Sequence, residues 1–229
     1  MSALLEVEGA SKAFGGVVAN NNITLTVPEG RIIGLIGPNG SGKTTLFNSI
    51  VGSHPIDAGS IRFEGREISS LRVPQIARLG MLRTFQQTRI YGEMTFVENM
   101  QISMPHGKTG FTTMFAKIPP EVLEKAEELL EFAMALMNDP KLLLLDEPTA
   151  GINPTLINGL IDRLKRANAE LGITLLVIEH NMRVIMNLAE HIYCLAHGEL
   201  LADGPPEQLQ NDQRVIDAYL GGTDVRRPP

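Results

Sequence analysis

Hydrophobic and polar residues follow two different patterns along this chain. Some short segments alternate apolar and polar residues or are rich in β-branched residues, and glycine or proline bounds them, which is typical of antiparallel strands. These segments are residues 4–8, 22–27 and 60–63. Other segments are continuous apolar runs, which predict parallel strands that are buried on both faces. These runs are residues 31–36, 141–145 and 173–178.

Helical patterns lie between these strands. The predicted helices cover residues 43–51, 121–137, 154–171 and 182–188. Residues 191–196 and 199–202 predict a hairpin that turns at His197 and Gly198. Residues 86–120 are irregular and contain several glycines and prolines, so we expect loops there. The sequence therefore predicts an α/β fold, with a mostly parallel core sheet flanked by helices and an antiparallel β lobe near the N-terminus.

Composition narrows the classes of function. The chain has 229 residues, of which 43% are hydrophobic and 20% are charged, and these values exclude a disordered or collagen-like protein. A net charge of −6 without a basic cluster argues against a nucleic-acid partner. The one cysteine, Cys194, cannot form an internal disulfide and suits a reducing compartment. We find neither a signal peptide nor an apolar run near the roughly 18 residues that span a bilayer, so we expect any membrane role to come through a partner.

Residues 37–44 form the strongest motif, which fits the pattern G-x-x-x-x-G-K-[ST] in full between a predicted strand and a predicted helix. Its glycines let backbone N–H groups turn toward phosphate oxygens, and the following helix adds its positive N-terminal end. We expect Lys43 to bind the β- and γ-phosphates of a nucleotide and the Thr44 hydroxyl to bind Mg²⁺. The alternative is a glycine-rich turn that matches the pattern by chance.

Two further candidate sites follow buried strands. Asp146 and Glu147 stand at the end of the run 141–145, at the edge where open α/β sheets bind ligands. We expect Asp146 to hold Mg²⁺ through water and Glu147 to polarise an attacking water, although an acidic helix cap would give the same pattern. His180 follows the run 173–178, which would place it near the γ-phosphate. The alternative is that His180 has a purely structural role.

These segments resemble an ATP-binding cassette (ABC) ATPase over nearly the whole chain, and they are most similar to the ATPase subunits of branched-chain amino acid importers. GPNGSGKTTLFNSIVG matches the family's phosphate loop and the helix after it. RTFQQTRI and MTFVENM resemble its Gln-loop region, and LLLLDEPTAGINP resembles its second phosphate-site motif and D-loop. VIEHNM resembles its His switch, and VIDAYLGG resembles its C-terminal end.

The resemblance implies roles for individual residues. The nucleotide contacts would come from Gly37, Pro38, Asn39, Gly40, Ser41, Gly42, Lys43, Thr44, Thr45 and Gln86. Phe14, in SKAFGG, would stack on adenine, although a core position for this ring is the alternative. Lys43, Glu147 and His180 would be catalytic. Thr44, Gln86 and Asp146 would hold Mg²⁺.

The resemblance also implies a context for the protein. It implies an importer ATPase that uses ATP and Mg²⁺ to drive uptake of branched-chain amino acids or a related small solute. Its partners would be a second ABC ATPase subunit, transmembrane permease subunits and, indirectly, a periplasmic solute-binding protein, at the cytoplasmic face of a bacterial inner membrane. The chain would be one ABC ATPase domain. Residues 1–85 and 139–220 would form the core and β lobe, 86–138 a shortened helical subdomain and 221–229 a flexible tail.

One departure from the family is large. ABC ATPases carry a Ser-Gly-Gly-Gln-like signature at the start of the helix that leads to the Asp-Glu strand, and this sequence has none before Asp146. Residues 121–137 instead predict one uninterrupted helix, as if the segment between two family helices were missing. The signature completes the partner's ATP site in this family, so we expect ATP binding but not hydrolysis by a homodimer. The alternative function is a hydrolysis-deficient ABC paralogue with a docking or regulatory role.

Three smaller features of the sequence give weaker indications of function. Asn153 stands where the family's D-loop usually carries aspartate, and we expect little effect. His191, Cys194 and His197 are spaced by three residues, which suggests zinc, but positions 191 and 194 of a strand point to opposite faces. Arg83 would bind a phosphate or a partner, or would simply be solvated.

Overall fold

The N-terminal lobe is an antiparallel sheet. The structure, a computed structural model, describes residues 2–83, 139–150 and 154–220. The sheet has the strand order β2-β1-β4-β5. Its strands are β1 (Ala3–Phe14), β2 (Val17–Pro28), β4 (Ala58–Phe63) and β5 (Arg66–Glu67). Alternating burial along β1 and β2 places one face of this sheet against the rest of the protein.

The second sheet carries the core and has the strand order β10-β9-β3-β8-β7-β6. Its strands are β3 (Ile32–Ile36), β6 (Met81–Arg83), β7 (Leu142–Asp146), β8 (Thr174–Ile178), β9 (His191–Ala196) and β10 (Glu199–Gly204). All neighbours in it are parallel except β9 and β10, which pair as an antiparallel hairpin. Every residue of β3, β7 and β8 is buried. Continuous apolar runs are therefore needed at these positions.

Helices cover the faces of this sheet. They are α1 (Lys43–Ile50), α2 (Val73–Arg78), α3 (Pro154–Leu171), α4 (Met182–Leu188), α5 (Pro206–Gln210) and α6 (Gln213–Leu220). Successive residues of β3 point to opposite sides. Ile33 and Leu35 pack with the antiparallel lobe and α1, whereas Ile32 and Ile36 pack with α3 and α4. No helix in the described ranges is long and apolar enough to cross a membrane.

The predicted fold class, a mostly parallel core with an antiparallel lobe, is confirmed. The bounds of α3, α4 and β9 agree with the prediction, and the hairpin turns at His197 and Gly198 as expected. The strands β1 and β2 are much longer than the predicted 4–8 and 22–27. Three short helices (α2, α5 and α6) and two short strands (β5 and β6) were not predicted. The predicted helix 121–137, the subdomain 86–138 and the tail 221–229 lie outside the described residues.

Candidate functional site

Three neighbouring parallel strands end at the same edge of the core sheet. The order β3-β8-β7 places the loop after β3 beside the ends of β8 and β7. Residues 37–42 follow β3, His180 follows β8, and Asp146 is the last residue of β7. This is the edge at which open α/β sheets bind ligands. The sheet topology therefore brings the three predicted motifs to one place.

The phosphate-loop motif wraps around the side chain of Lys43. Its ammonium donates hydrogen bonds to the carbonyl oxygens of Gly37 at 2.8 Å and Pro38 at 3.0 Å, and it lies 3.4 Å from the Ser41 hydroxyl. Burial lowers the pKa of Lys43, while the charges of Glu147 and Asp146 act in the opposite direction. A cation held by backbone carbonyls at a helix N-terminus fits a phosphate group.

Helix α1 begins inside the motif. Its N-cap is Gly42, whose φ of 98° lies in the left-handed region that favours glycine. A Cβ at this position would lie 2.3 Å from the Ala19 carbonyl oxygen, so the glycine also allows β2 to approach the loop. Thr44 is exposed and Thr45 is half-buried in the first turn of α1. The Thr44 hydroxyl is thus available to a ligand at the positive end of the helix.

Glu147 and His180 form a contact between the ends of two strands. The Nε2 atom of His180 lies 2.6 Å from Oε1 of Glu147, and both side chains are partly exposed. Glu147 has a φ of 52°, which is uncommon for a non-glycine residue, and its N–H donates to the Ile178 carbonyl at 2.9 Å. Such conformations cluster at functional sites, where the surrounding structure holds them. The pair is arranged as a carboxylate base oriented by an imidazole.

Asp146 is buried and pairs with Arg83. The Nη2 atom of Arg83 lies 2.5 Å from Oδ2 of Asp146, and Nη1 donates to the Asn48 side chain at 2.5 Å. The guanidinium also lies 5.8 Å from the centre of the Phe47 ring. The expectation that Arg83 is solvated is therefore wrong, because its side chain is only 8% exposed and binds a carboxylate.

The Asp146 carboxylate and the Thr44 hydroxyl are suitable ligands for Mg²⁺. This ion prefers oxygen ligands and is usually bound by one or two carboxylates together with substrate phosphates. Among the described residues, no group of three or more His, Cys, Asp or Glu side chains forms a metal site by itself. The donor set fits a Mg²⁺ ion that arrives with a nucleotide.

Phe14 lies at the end of β1, on the lobe that borders the phosphate loop. Its ring is 44% exposed, so the alternative of a core position is wrong. The His54 ring packs edge-on against it at 5.4 Å between centroids, and the Lys12 ammonium lies 5.3 Å from the ring centre. An exposed aromatic face of this kind is suited to stacking on a planar ring.

Glu179 is a site residue that the sequence reasoning did not identify. Its carboxylate is 2% exposed and accepts hydrogen bonds from the Thr149 N–H at 3.0 Å and the Thr149 hydroxyl at 2.6 Å. Its other oxygen accepts from the Asn181 N–H at 3.3 Å. The turn after Glu147 is thereby tied to the segment that carries His180. A carboxylate directly after a continuous apolar strand was the signal that could have indicated it.

The remaining predicted positions either lie outside the described residues or do not meet at this site. Gln86 and Asn153 lie outside the described residues. Cys194 is fully buried, which raises the pKa of its thiol to about 11. His191 contacts Asp203 at 3.1 Å, and His197 lies in the turn after β9. This arrangement argues against zinc, since the thiol remains protonated inside the core.

Two family models match the chain. The model described as "ABC transporter" matches residues 20–150, and the model "Branched-chain amino acid ATP-binding cassette transporter" matches residues 199–225. The first match contains the phosphate loop, Asp146 and Glu147. The second contains β10, α5 and α6.

Curated relatives match along nearly their full length. The high-affinity branched-chain amino acid transport ATP-binding protein BraF of Pseudomonas aeruginosa is 38% identical, with 95% of this chain and 98% of the relative covered. LivG of Escherichia coli, with the same description, is 35% identical over the same shares of the two chains. Both matches run over 249 residues, whereas this chain has 229, so at least 20 aligned positions have no residue in this chain.

Solved structures agree with the fold. The ADP conformation of an ATP-binding cassette of an ABC transporter superposes with a TM-score of 0.82 at 29% identity, covering 96% of this chain and all of the other. A nucleotide-free ATP-binding cassette from an ABC transporter gives a TM-score of 0.81 at 29% identity, covering 95% and 99%. The two sheets and their helices are therefore arranged as in these cassettes.

Proposed function

The chain belongs to the ABC transporter ATP-binding family, and from this premise we propose that it is the ATPase subunit of an importer for branched-chain amino acids or a related small solute. The observation that carries the proposal is the sheet edge, where Lys43 in its phosphate loop lies near Glu147 and Glu147 contacts His180. The class of solute is supported by the names of the relatives and by the match of residues 199–225.

Nucleotide binding uses the loop and the β lobe. The ammonium of Lys43 binds the β- and γ-phosphates in addition to the carbonyls of Gly37 and Pro38, and N–H groups within residues 39–45 surround the phosphate oxygens. Phe14 stacks on the adenine. Thr44 and Asp146, with Gln86, would hold Mg²⁺, and the ion would supply positive charge beside the phosphates.

Hydrolysis uses the pair at the ends of β7 and β8. Glu147 accepts a proton from the attacking water as the water oxygen forms a bond to the γ-phosphorus. The bond between the γ-phosphorus and the leaving oxygen of ADP breaks. His180 keeps the Glu147 carboxylate in position and donates toward the γ-phosphate. Glu179 fixes the backbone on both sides of this pair through Thr149 and Asn181. Base catalysis of this kind contributes about 10²–10⁴-fold to a rate.

The family supports a proposed assembly. The chain acts as a peripheral subunit on the cytoplasmic face of a bacterial inner membrane, with a second ABC ATPase subunit and transmembrane permease subunits. A periplasmic solute-binding protein delivers the solute to the permease. Closure of the ATPase dimer around ATP and its reopening after hydrolysis drive the transport cycle.

The missing signature limits what two copies of this chain do together. This chain supplies the phosphate loop, Asp146, Glu147 and His180 of one site, but its sequence has no Ser-Gly-Gly-Gln-like segment to complete the site of a partner. At least 20 aligned positions of the relatives have no residue here, which supports a missing segment. We therefore expect turnover only beside a partner that carries a signature.

A second function is favoured by the same absence. The chain would bind ATP without turnover and would serve as a docking or regulatory ABC paralogue. Negligible hydrolysis in the presence of a signature-bearing partner ATPase would select this function over the importer ATPase.

The test compares the natural chain with a chain in which the missing segment is restored. The segment of the Pseudomonas aeruginosa relative that has no counterpart here is inserted within residues 121–137. We expect both proteins to bind MgATP, and we expect turnover of the restored homodimer to exceed that of the natural chain by about 100-fold or more, since one lost transition-state donor costs about that much. The measurements are calorimetric MgATP binding and phosphate release.

The matched control is Glu147→Gln in the restored chain, which removes the base and keeps the inserted segment. We expect it to bind MgATP and to release almost no phosphate. Equal turnover of the natural and restored chains would contradict the inference that a homodimer of the natural chain lacks the signature needed to complete its ATP sites. The absence of MgATP binding by the natural chain would contradict the nucleotide site itself.

A further inference from the structure

The phosphate loop is held from outside by three hydrogen bonds that do not involve Lys43. The Gly37 N–H donates to the Tyr219 hydroxyl at 2.8 Å, the Gly198 N–H donates to the Ser41 carbonyl at 3.2 Å, and the Asn20 amide donates to the Gly42 carbonyl at 3.1 Å. We call Asn20, Gly198 and Tyr219 the outer set. They come from β2, the β9–β10 turn and α6, so three distant parts of the chain converge on one loop.

Tyr219 is the member of the outer set at the beginning of the loop. It lies near the end of α6 and packs against the core cluster that contains Ile36. Burial raises the pKa of Tyr219 to about 12, so its hydroxyl is protonated under ordinary conditions. The neutral oxygen therefore accepts the Gly37 N–H.

Gly37 connects Tyr219 to Lys43. Its N–H binds the Tyr219 hydroxyl, and its carbonyl oxygen accepts the Lys43 ammonium at 2.8 Å. A Cβ on Gly37 would lie 2.1 Å from the Leu195 carbonyl oxygen, so β9 packs tightly against this residue as well. Any shift of Gly37 moves an acceptor of the Lys43 ammonium.

We propose that Tyr219 is a positioning residue of the nucleotide site, acting through Gly37 on the ammonium that binds the β- and γ-phosphates. The C-terminal segment that matches the branched-chain amino acid family, residues 199–225, contains Tyr219 and is then a working part of the ATP site. The inference rests on the proposed nucleotide-binding function. A role of Tyr219 confined to packing α6 on the core is the outcome that would overturn it.

Tyr193 provides a matched control. Its hydroxyl donates to the Thr26 carbonyl at 3.0 Å and accepts the Thr26 N–H at 3.2 Å, so it joins β9 to β2 and not to the phosphate loop. Burial raises the pKa of this tyrosine as well. Tyr219→Phe and Tyr193→Phe each remove one partly buried hydroxyl and keep the ring.

The experiment measures the dissociation constants of ATP, ADP and AMP, together with thermal stability, for the 229-residue chain and both variants. We expect Tyr219→Phe to weaken ATP and ADP binding by about three- to tenfold, the range of one neutral hydrogen bond. AMP lacks the phosphates that Lys43 binds, so its affinity should change little. Tyr193→Phe should leave all three affinities unchanged while lowering the melting temperature.

The outcomes separate the inference from the function on which it rests. If the natural chain binds MgATP and Tyr219→Phe has unchanged ATP affinity, the positioning role alone is overturned. Equal weakening of AMP and ATP also overturns it, since the effect would then not pass through Lys43. If the natural chain binds no MgATP, the proposed function and this inference are overturned together.

Discussion

Two groups of residues contact the phosphate-loop region: Lys43 interacts with the charges of Asp146 and Glu147, and Glu147 contacts His180, whereas the outer set binds the loop's backbone. We call the first group the inner set. The inner set consists of charged or titratable groups, which act on phosphate and water in the proposed function. The outer set is a small amide, a glycine and a phenol, which act on N–H and carbonyl groups of the loop. Chemistry and rigidity are thus supplied to one loop by different residues.

The difference between the two sets predicts different effects of mutation. Loss of an inner residue should abolish a chemical step and leave the fold intact. Loss of an outer contact should change affinity modestly and stability more broadly. Three predictions test this division, in addition to the experiments above.

The largest effect is expected from Lys43→Ala, in the inner set. The variant removes charge-assisted hydrogen bonds to phosphate, each of which is worth about 1.5–3 kcal/mol, so MgATP affinity should fall by about 100-fold or more. The melting temperature should change little, since a buried and partly desolvated cation is removed. Calorimetric titration with MgATP checks the affinity, and unchanged affinity would remove Lys43 from the inner set.

A smaller effect is expected from Gly37→Ala compared with Gly40→Ala. Both glycines have positive φ, but the Cβ at residue 37 would meet the Leu195 carbonyl at 2.1 Å, whereas the Cβ at residue 40 has no described atom within 4 Å. Overpacking costs about 1–3 kcal/mol in addition to the backbone strain that both variants share. Gly37→Ala should therefore melt about 2–10 °C below Gly40→Ala.

Thermal unfolding by circular dichroism measures this difference. Equal melting temperatures would show that the contact between the loop and β9 is loose.

The smallest effect concerns the alkaline titration of Tyr219. Its folded pKa of about 12 is above the ordinary value of 10.0, so the folded protein keeps this proton longer than the unfolded chain. The corresponding stabilisation is complete below pH 10 and is lost as the pH rises toward 12. Ultraviolet titration of phenolate absorbance should show a late-titrating tyrosine that is missing in Tyr219→Phe. A titration curve that the substitution leaves unchanged would contradict the burial of the Tyr219 hydroxyl.

The sequence was sufficient to predict the inner set as candidates. A lysine in a glycine-rich loop, two carboxylates after an apolar run and a histidine after another run are local patterns. The central strands were predicted within one residue because a strand buried on both faces is apolar over most of its length. Parallel pairing of these strands then places the patterns at one edge.

The outer set was not predictable in the same way. Tyr219 and Gly37 are 182 residues apart, and no periodicity near either residue indicates their hydrogen bond. Helices α2, α5 and α6 are only five to eight residues long and were not predicted, whereas α1 and α4, of similar length, were predicted and each comes after a continuous apolar run. The pairing of Arg83 with Asp146 was missed for a similar reason, because it joins strands β6 and β7 that are distant along the chain.

The position of β3 between β8 and β9 determines when the ATP site forms during protein synthesis. β3 is made early, but its neighbours are residues Thr174–Ile178 and His191–Ala196, which leave the ribosome well over one hundred residues later. Pairings of such long range form slowly and leave strand edges exposed in the meantime. A nascent chain that has already made its phosphate loop therefore still has no nucleotide site. The proposed site is assembled as β8 and β9 pair with β3, and the contact of α6 with the loop through Tyr219 adds to it afterwards.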